Sequence, residues 1–218
     1  QHEREFLGEA AHELRTPLAA LLAQAQVLQH ASDREEAREA LEHLIAGIER
    51  TSRLAQQLLD AARVEAGTSA ARATDIDLAM VVTMVTDEFN LVAQRAGQSI
   101  EVEGGYAPVR GDIDDLGIMV RNLLDNALRH GGLGTRVRLQ TRSEGEGHAR
   151  MAIITIADDG PGIPDGESER IFERFYRAEN GHRAQGIGMG LSLVERVVAS
   201  HGGRLRCCPG LDGRGFGV

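Results

Sequence analysis

Apolar residues in the first third of the chain return every three or four positions. Leu7, Leu14, Leu21 and Leu28 recur every seven residues, with Ala11, Leu18 and Ala25 between them. That is the seam of a helix in a coiled-coil-like bundle, running from about Phe6 to Leu28. Pro17 falls inside it, where it removes a hydrogen bond to the Glu13 carbonyl and predicts a bend. The stretch Ala31 to Glu36 reads as a turn, with Ser32 or Asp33 as N-cap and acids in the first turn of the next helix. That second helix carries Leu41, Leu44, Ile48, Thr51, Ala55, Leu58 and Ala62 on one face and stops near Gly67, ahead of a short linker. Two antiparallel helices bury little alone. Seams this long on both predict a four-helix bundle made by two chains, a homodimer through the hairpin; the rival is a monomeric hairpin packed on the rest of the chain.

From Asp75 the periodicity becomes mixed. Asp75 to Leu78 predicts a short strand, and Val81, Val82, Val85, Phe89 and Val92 a helix ending at Gly97. Ser99 to Glu103 and Tyr106 to Arg110 predict strands, and Gly111-Asp112 leads a helix to about His130. Arg136 to Gln140 and Met151 to Ile156 read as strands across a polar turn. A glycine- and charge-rich stretch from Pro161 to Gly186 precedes a helix over Gly190 to His201, and Arg204 to Cys208 and Gly215 to Val218 are expected as closing strands. Mostly antiparallel strands with helices on one face suit this order.

The 218 residues are enough for two small domains. A formal net charge of −9 without a basic cluster argues against a nucleic-acid partner. All 24 basic residues are arginine, which excludes a Walker A lysine, the strand lysine of eukaryotic-type protein kinases and Schiff-base chemistry. No run approaches the roughly 18 apolar residues of a membrane span, and no signal peptide opens the chain. The sequence begins in mid-helix pattern at Gln1-His2-Glu3-Arg4 and stops at Gly215-Phe216-Gly217-Val218 without a capping or tail signal, so it is expected to be part of a longer protein. The adjacent Cys207 and Cys208 are expected on opposite faces of a strand, one buried and one exposed, which suits no metal.

Candidate chemistry begins at His12. With Leu14 and Leu18 on the seam, His12 falls off it, facing water one turn before Thr16. A neutral imidazole is a nucleophile, and Glu13 beside it is a proton acceptor. Further on, Asn122, Asn126 and His130 come at spacings of four along the helix edge opposite the apolar face of Leu116, Val120, Leu123, Leu124 and Ala127, and amide oxygens suit Mg²⁺ beside phosphates. Asp158-Asp159-Gly160-Pro161-Gly162 puts a carboxylate just past a buried strand, able to accept from an exocyclic amine such as that of adenine, with glycines that let a flat ring approach. Gly186-Ile187-Gly188-Met189-Gly190 runs into a helix whose N-terminal N–H groups can cradle phosphate.

In this order, the motifs resemble the transmitter region of bacterial two-component sensor histidine kinases. His12 to Leu18 is similar to the H box and Asn122 to Ala127 to the N box. Asp158 to Gly162 resembles the first glycine box, Ile171 to Arg177 the F box and Gly186 to Leu191 the second glycine box. The resemblance implies an α plus α/β architecture. Residues 1–68 would form a dimerisation and histidine phosphotransfer hairpin, a dimeric four-helix bundle. Residues 69–218 would form an α/β sandwich of the Bergerat, or GHKL, ATP-binding fold. It further implies ATP and Mg²⁺ as cofactors, a response-regulator receiver domain as partner, and a cytoplasmic portion of an inner-membrane sensor whose membrane segments lie outside this chain. His12 would take the γ-phosphoryl group with Glu13 as proton partner, and Thr16 would assist dephosphorylation of the regulator. Asn126 and Asn122 would hold Mg²⁺. Asp158, Gly160 and Gly162 would receive adenine; Arg129, His130, Arg177, Gly186, Gly188 and Gly190 would complete the nucleotide site. Asp159 stands where asparagine is common in the family, Ile187 replaces a usual threonine, and Arg129 stands where lysine is frequent. Two rivals share parts of this pattern, a GHKL ATPase clamp and a pseudo-kinase acting as scaffold or phosphatase. The His12 box argues against the first, the intact Asn126 and Asp158 against the second.

Overall fold

A computed structural model describes residues 2–67, 69–145, 150–164, 166–168, 170–173, 176 and 188–218, excluding the side chains of 2–12 and 69–70. The chain divides into two compact units, a helical hairpin through Ala62 and an α/β unit from Arg63 onward.

In the hairpin, α1 (His2–Gln29) continues through Pro17 and α2 covers Arg34–Glu65. Of the two N-cap candidates, Asp33 caps α2: its Oδ1 accepts the N–H groups of Glu35 and Glu36 at 2.9 Å each. The Ser32 N–H and hydroxyl both donate to Glu36 Oε2, at 2.8 and 2.7 Å, so the first turn closes reciprocally. The helices approach closely at Gly47, where a Cβ would stand 2.7 Å from Leu21 Cδ2. Leu14, Leu21 and Leu28 are half-buried as the seam predicts. Yet Leu18, Leu22, Ile45 and Ile48 each leave about half or more of their surface in water, an apolar stripe that one hairpin does not cover.

In the α/β unit, β1 (Thr74–Asp77) pairs antiparallel with β3 (Pro108–Gly111). A five-stranded sheet comprises β2 (Ser99–Gly104), β4 (Arg136–Glu144), β5 (Met151–Asp158), β6 (Cys208–Pro209) and β7 (Phe216–Gly217), in the order β2-β4-β5-β7-β6. The β2–β4 pair is parallel, and the pairs β4–β5, β5–β7 and β6–β7 are antiparallel. Period-two alternation sends Val137 and Leu139 into the core and Arg138 and Gln140 to the other face, where they bond Glu101 and Glu103 across β2. The core side of the sheet carries α4 (Leu78–Arg95), α5 (Ile113–Gly131) and α6 (Gly190–Ser200). Val81, Val82, Val85, Val120, Leu124, Val194 and Val197 from these helices are fully buried with Val137 and Leu139. Asp77 caps α4 by accepting from Ala79 N–H and also holds Ala107 N–H; Asp112 caps α5. Each such cap contributes about 1 kcal/mol.

The last turn of α2 joins this unit. Arg63 pairs with Asp114 at the start of α5, and Arg196 of α6 pairs with Glu65 at 2.5 Å. Where a short linker was expected, α3 (Ser69–Arg72) forms, with Arg72 Nε 3.1 Å from Asp112 Oδ2. The closing strand expected over Arg204 to Cys208 shrinks to Cys208–Pro209. Among the described residues its one partner is the two-residue β7, and a ladder cannot extend beyond its partner. Cys207 is exposed and Cys208 half-buried, so neither thiol is a core group.

Candidate active site

The strand β5 ends on Asp158, which is buried because the helix layer covers its face. Burial pushes its carboxyl pKa up; N–H donors from Gly160 and Phe216 work against that, and neighbouring Asp159 reinforces it. Both donors meet Oδ1, at 2.9 and 3.4 Å, fixing the carboxylate's rotation while leaving Oδ2 as its second acceptor atom. The backbone is equally confined. A Cβ at Gly160 would stand 2.6 Å from the Gly131 Cα at the end of α5. Gly162 has a φ of +76°, a left-handed conformation that L side chains resist, and a Cβ there would press on the Gly215 carbonyl at 3.0 Å. The two glycines therefore let the loop after β5 lie against α5 and the C-terminal strand.

The helix α5 supplies the asparagines. Asn126 is half-buried. Asn122 differs from the expected position on an open helix edge. It is buried, its Nδ2 donates to the Ile118 carbonyl at 2.8 Å, and its Oδ1 is the nearest atom a Cβ on Gly190 would meet, at 3.0 Å. The helix is buried on more than one side between Leu116 and Leu124, so a spacing of four from an exposed residue did not predict exposure. Arg129 pairs with Asp125 one turn back at 2.7 Å. His130 is exposed at the helix end, but the protein around its ring and the Arg129 charge lower its pKa, favouring the neutral imidazole.

Gly188 and Gly190 flank Met189, the N-cap of α6, which makes no side-chain capping bond. The first-turn N–H groups of α6 thus point from an end suited to anions. Arg177 and Gly186 lie outside the described residues. So does the side chain of His12, which sits on α1 in the hairpin unit, ahead of half-buried Glu13 and exposed Thr16. Among the described residues no group of three or more His, Cys, Asp or Glu gathers to hold a metal.

Several residues around Asp158 carry no motif of their own in the sequence: Gly131, Gly210 and Gly215 lie against its loop and backbone, and Arg136 bonds the neighbouring Asp159. The glycine density after Pro209 was the available sign of the close approach.

Helices stacked on one face of a mixed sheet, with a buried carboxylate closing a central strand, mark this unit as a GHKL-type nucleotide-binding fold. Residues 111–217 match the family described as histidine kinase-, DNA gyrase B- and HSP90-like ATPase, and residues 2–67 match the His Kinase A phospho-acceptor domain. The swarming motility regulation sensor protein RssA of Serratia marcescens is 33% identical over 218 residues, covering 100% of this chain and 46% of that protein. A solved mycobacterial sensor histidine kinase, MprB, is 33% identical with a TM-score of 0.58, covering 66% of this chain and 93% of the solved one. The Acinetobacter baumannii histidine kinase AdeS, 24% identical, shares the fold with a TM-score of 0.63 over 87% of this chain and 86% of its own. The chain belongs to the sensor histidine kinase family. It spans about half the length of the curated relatives it matches.

Proposed function

We propose that this chain is the kinase core of a two-component sensor: it phosphorylates His12 from ATP and passes the phosphoryl group to an aspartate of a response-regulator receiver domain. The observation that carries this reading is the Asp158 loop, a buried carboxylate with its rotation fixed and glycines pressed around it, in a chain that also holds a His-Glu-x-x-Thr motif on a separate helical unit. Residues 1–68 would be the dimerising phosphotransfer domain and 69–218 the ATP-binding domain. The exposed stripe of Leu18, Leu22, Ile45 and Ile48 supports a second hairpin as its cover. The names of the relatives as sensor proteins, and the length they have beyond this match, support a cytoplasmic portion of an inner-membrane sensor.

The neutral imidazole of His12 attacks the γ-phosphorus in line with the bond to the β,γ-bridging oxygen. That bond breaks, ADP departs, and the proton on the other ring nitrogen passes to Glu13. Asp158 accepts from the adenine amino group, while Gly160 and Gly162 let the base lie close to the backbone. Asn126, with Asn122 behind it against Gly190, would hold Mg²⁺, which supplies charge neutralisation at the phosphates. Arg129, His130, Arg177, Gly186, Gly188 and Gly190 line the rest of the nucleotide.

Thr16, exposed one turn from His12, would orient a water against the phosphoaspartate of a docked regulator. Labelled wild-type protein mixed with a panel of receiver domains should lose its label to one of them. Thr16→Ala should keep labelling and transfer near wild type while losing most of the dephosphorylation of that receiver. Equal losses in both directions would point to damage to α1, and no receiver taking the label would sink the phosphotransfer reading.

A further inference from the structure

Arg136 opens β4 beside the end of β5, and three hydrogen bonds join it to the residue next to Asp158. The Arg136 N–H donates to Asp159 Oδ1 at 2.7 Å, Arg136 Nε donates to Asp159 Oδ2 at 2.8 Å, and the Asp159 N–H donates to the Arg136 carbonyl at 3.2 Å. The other side of the same guanidinium reaches the C-terminal turn: Nη2 donates to Asp212 Oδ2 at 2.8 Å. That turn is pressed on Asp158. A Cβ at Gly210 or Gly215 would come within 2.2 or 2.1 Å of the Asp158 carbonyl oxygen, and Phe216 donates to the Asp158 carboxylate. One forked side chain thus ties together the two segments that enclose Asp158.

We propose that Arg136 is a positioning residue for base recognition, holding the loop after β5 and the turn before β7 against Asp158 through Asp159 and Asp212. The inference rests on the reading of Asp158 as the group that accepts from adenine. The ion pair to Asp212 alone is weak, since Arg136 and Asp212 are 43% and 75% exposed. What the fork adds is geometry: a planar guanidinium with fixed donors sets the separation of two carboxylates, which a flexible lysine would not. It also offsets charge. Burial raises the Asp159 carboxyl, but the Arg136 N–H, side chain and charge outweigh it and hold that carboxyl low. The Arg136 guanidinium is correspondingly held in its charged form by Asp159 and Asp212. The carboxylate of Asp159 is thereby accommodated one residue from Asp158.

The experiment measures the affinities of the full chain for MgATP and MgGTP by calorimetry, with the nucleotide-free melting temperature alongside. Arg136→Ala should weaken ATP about fivefold and leave GTP near its starting value, so that the adenine preference falls by the same factor. Arg136→Lys should lie between the two. Asp212→Asn keeps a residue that tolerates the left-handed φ of +54° there, so it folds even if Arg136→Ala does not. It should lower the preference about twofold. Asp158→Asn is the reference. If it shifts the preference while Arg136→Ala and Asp212→Asn leave it unchanged, the positioning role is overturned and base recognition by Asp158 stands. Equal weakening of ATP and GTP with a fallen melting temperature would also overturn it, as a purely structural contribution. If Asp158→Asn changes nothing, the base-reading assignment and the inference built on it fall together.

Discussion

His12→Gln is expected to reduce incorporation of label from γ-labelled ATP to background while ATP affinity stays within about twofold of wild type. Glutamine keeps the size and polarity of the side chain but has no ring nitrogen with a free lone pair to attack phosphorus. Retained ATP binding is a consequence of the architecture. His12 lies in the hairpin unit, whereas Asp158, Asn126 and the α6 N-terminus belong to the α/β unit. Helix α1 tolerates the change because His12 falls off the seam carried by Leu14, Leu21 and Leu28. Autoradiography and calorimetry on the same preparation read both quantities. Label retained on His12→Gln protein would remove the histidine from the chemistry, and loss of ATP binding would mean that the functions are not divided between the units.

Metal and base recognition are expected to separate. Asn126→Ala should lose about 10- to 100-fold in Mg²⁺-dependent ATP affinity, with little change in what nucleotide binding remains in EDTA. Asp158→Asn should act on the base. Its Oδ1 would still accept from Gly160 and Phe216 N–H, but an amide N–H₂ would then stand where Oδ2 accepted from adenine. Donor would face donor with adenine, and guanine, which presents a carbonyl oxygen, would gain. The loss of a charge-assisted hydrogen bond puts the fall in adenine preference at about 10- to 100-fold. Titrations of ATP and GTP with and without Mg²⁺ check both variants. Metal dependence lost in Asp158→Asn and kept in Asn126→Ala would reverse the assignments.

The helical half of the fold was legible because both helices carry long three-four repeats and a strong N-cap at Asp33. The strands β4 and β5 were legible from alternation, though each runs further than the sequence pattern indicated, since mutual pairing carries them to Glu144 and Asp158. The short β6 was not, because Arg204 to Cys208 has strand-forming residues but almost no partner to pair with. Among the candidate site residues, Asp158 and its glycines stand out as a dense local motif. Asn122 was found by spacing but placed wrongly on the helix, since period alone cannot say how many sides of α5 the core covers. Arg136 was invisible for a different reason. Its meaning depends on Asp159 and Asp212, which are 23 and 76 residues away in the chain.

Phosphate carried on a histidine nitrogen is distinguished from phosphate on a hydroxyl by the stability of the label. Wild-type protein incubated with γ-labelled ATP and Mg²⁺ is split, one part held in acid and the other in base. A phosphoramidate hydrolyses once its nitrogen is protonated and survives alkali, so label is expected to be lost in acid and kept in base. Label that survives acid would mean a phosphorylated hydroxyl, and with it an acceptor other than His12.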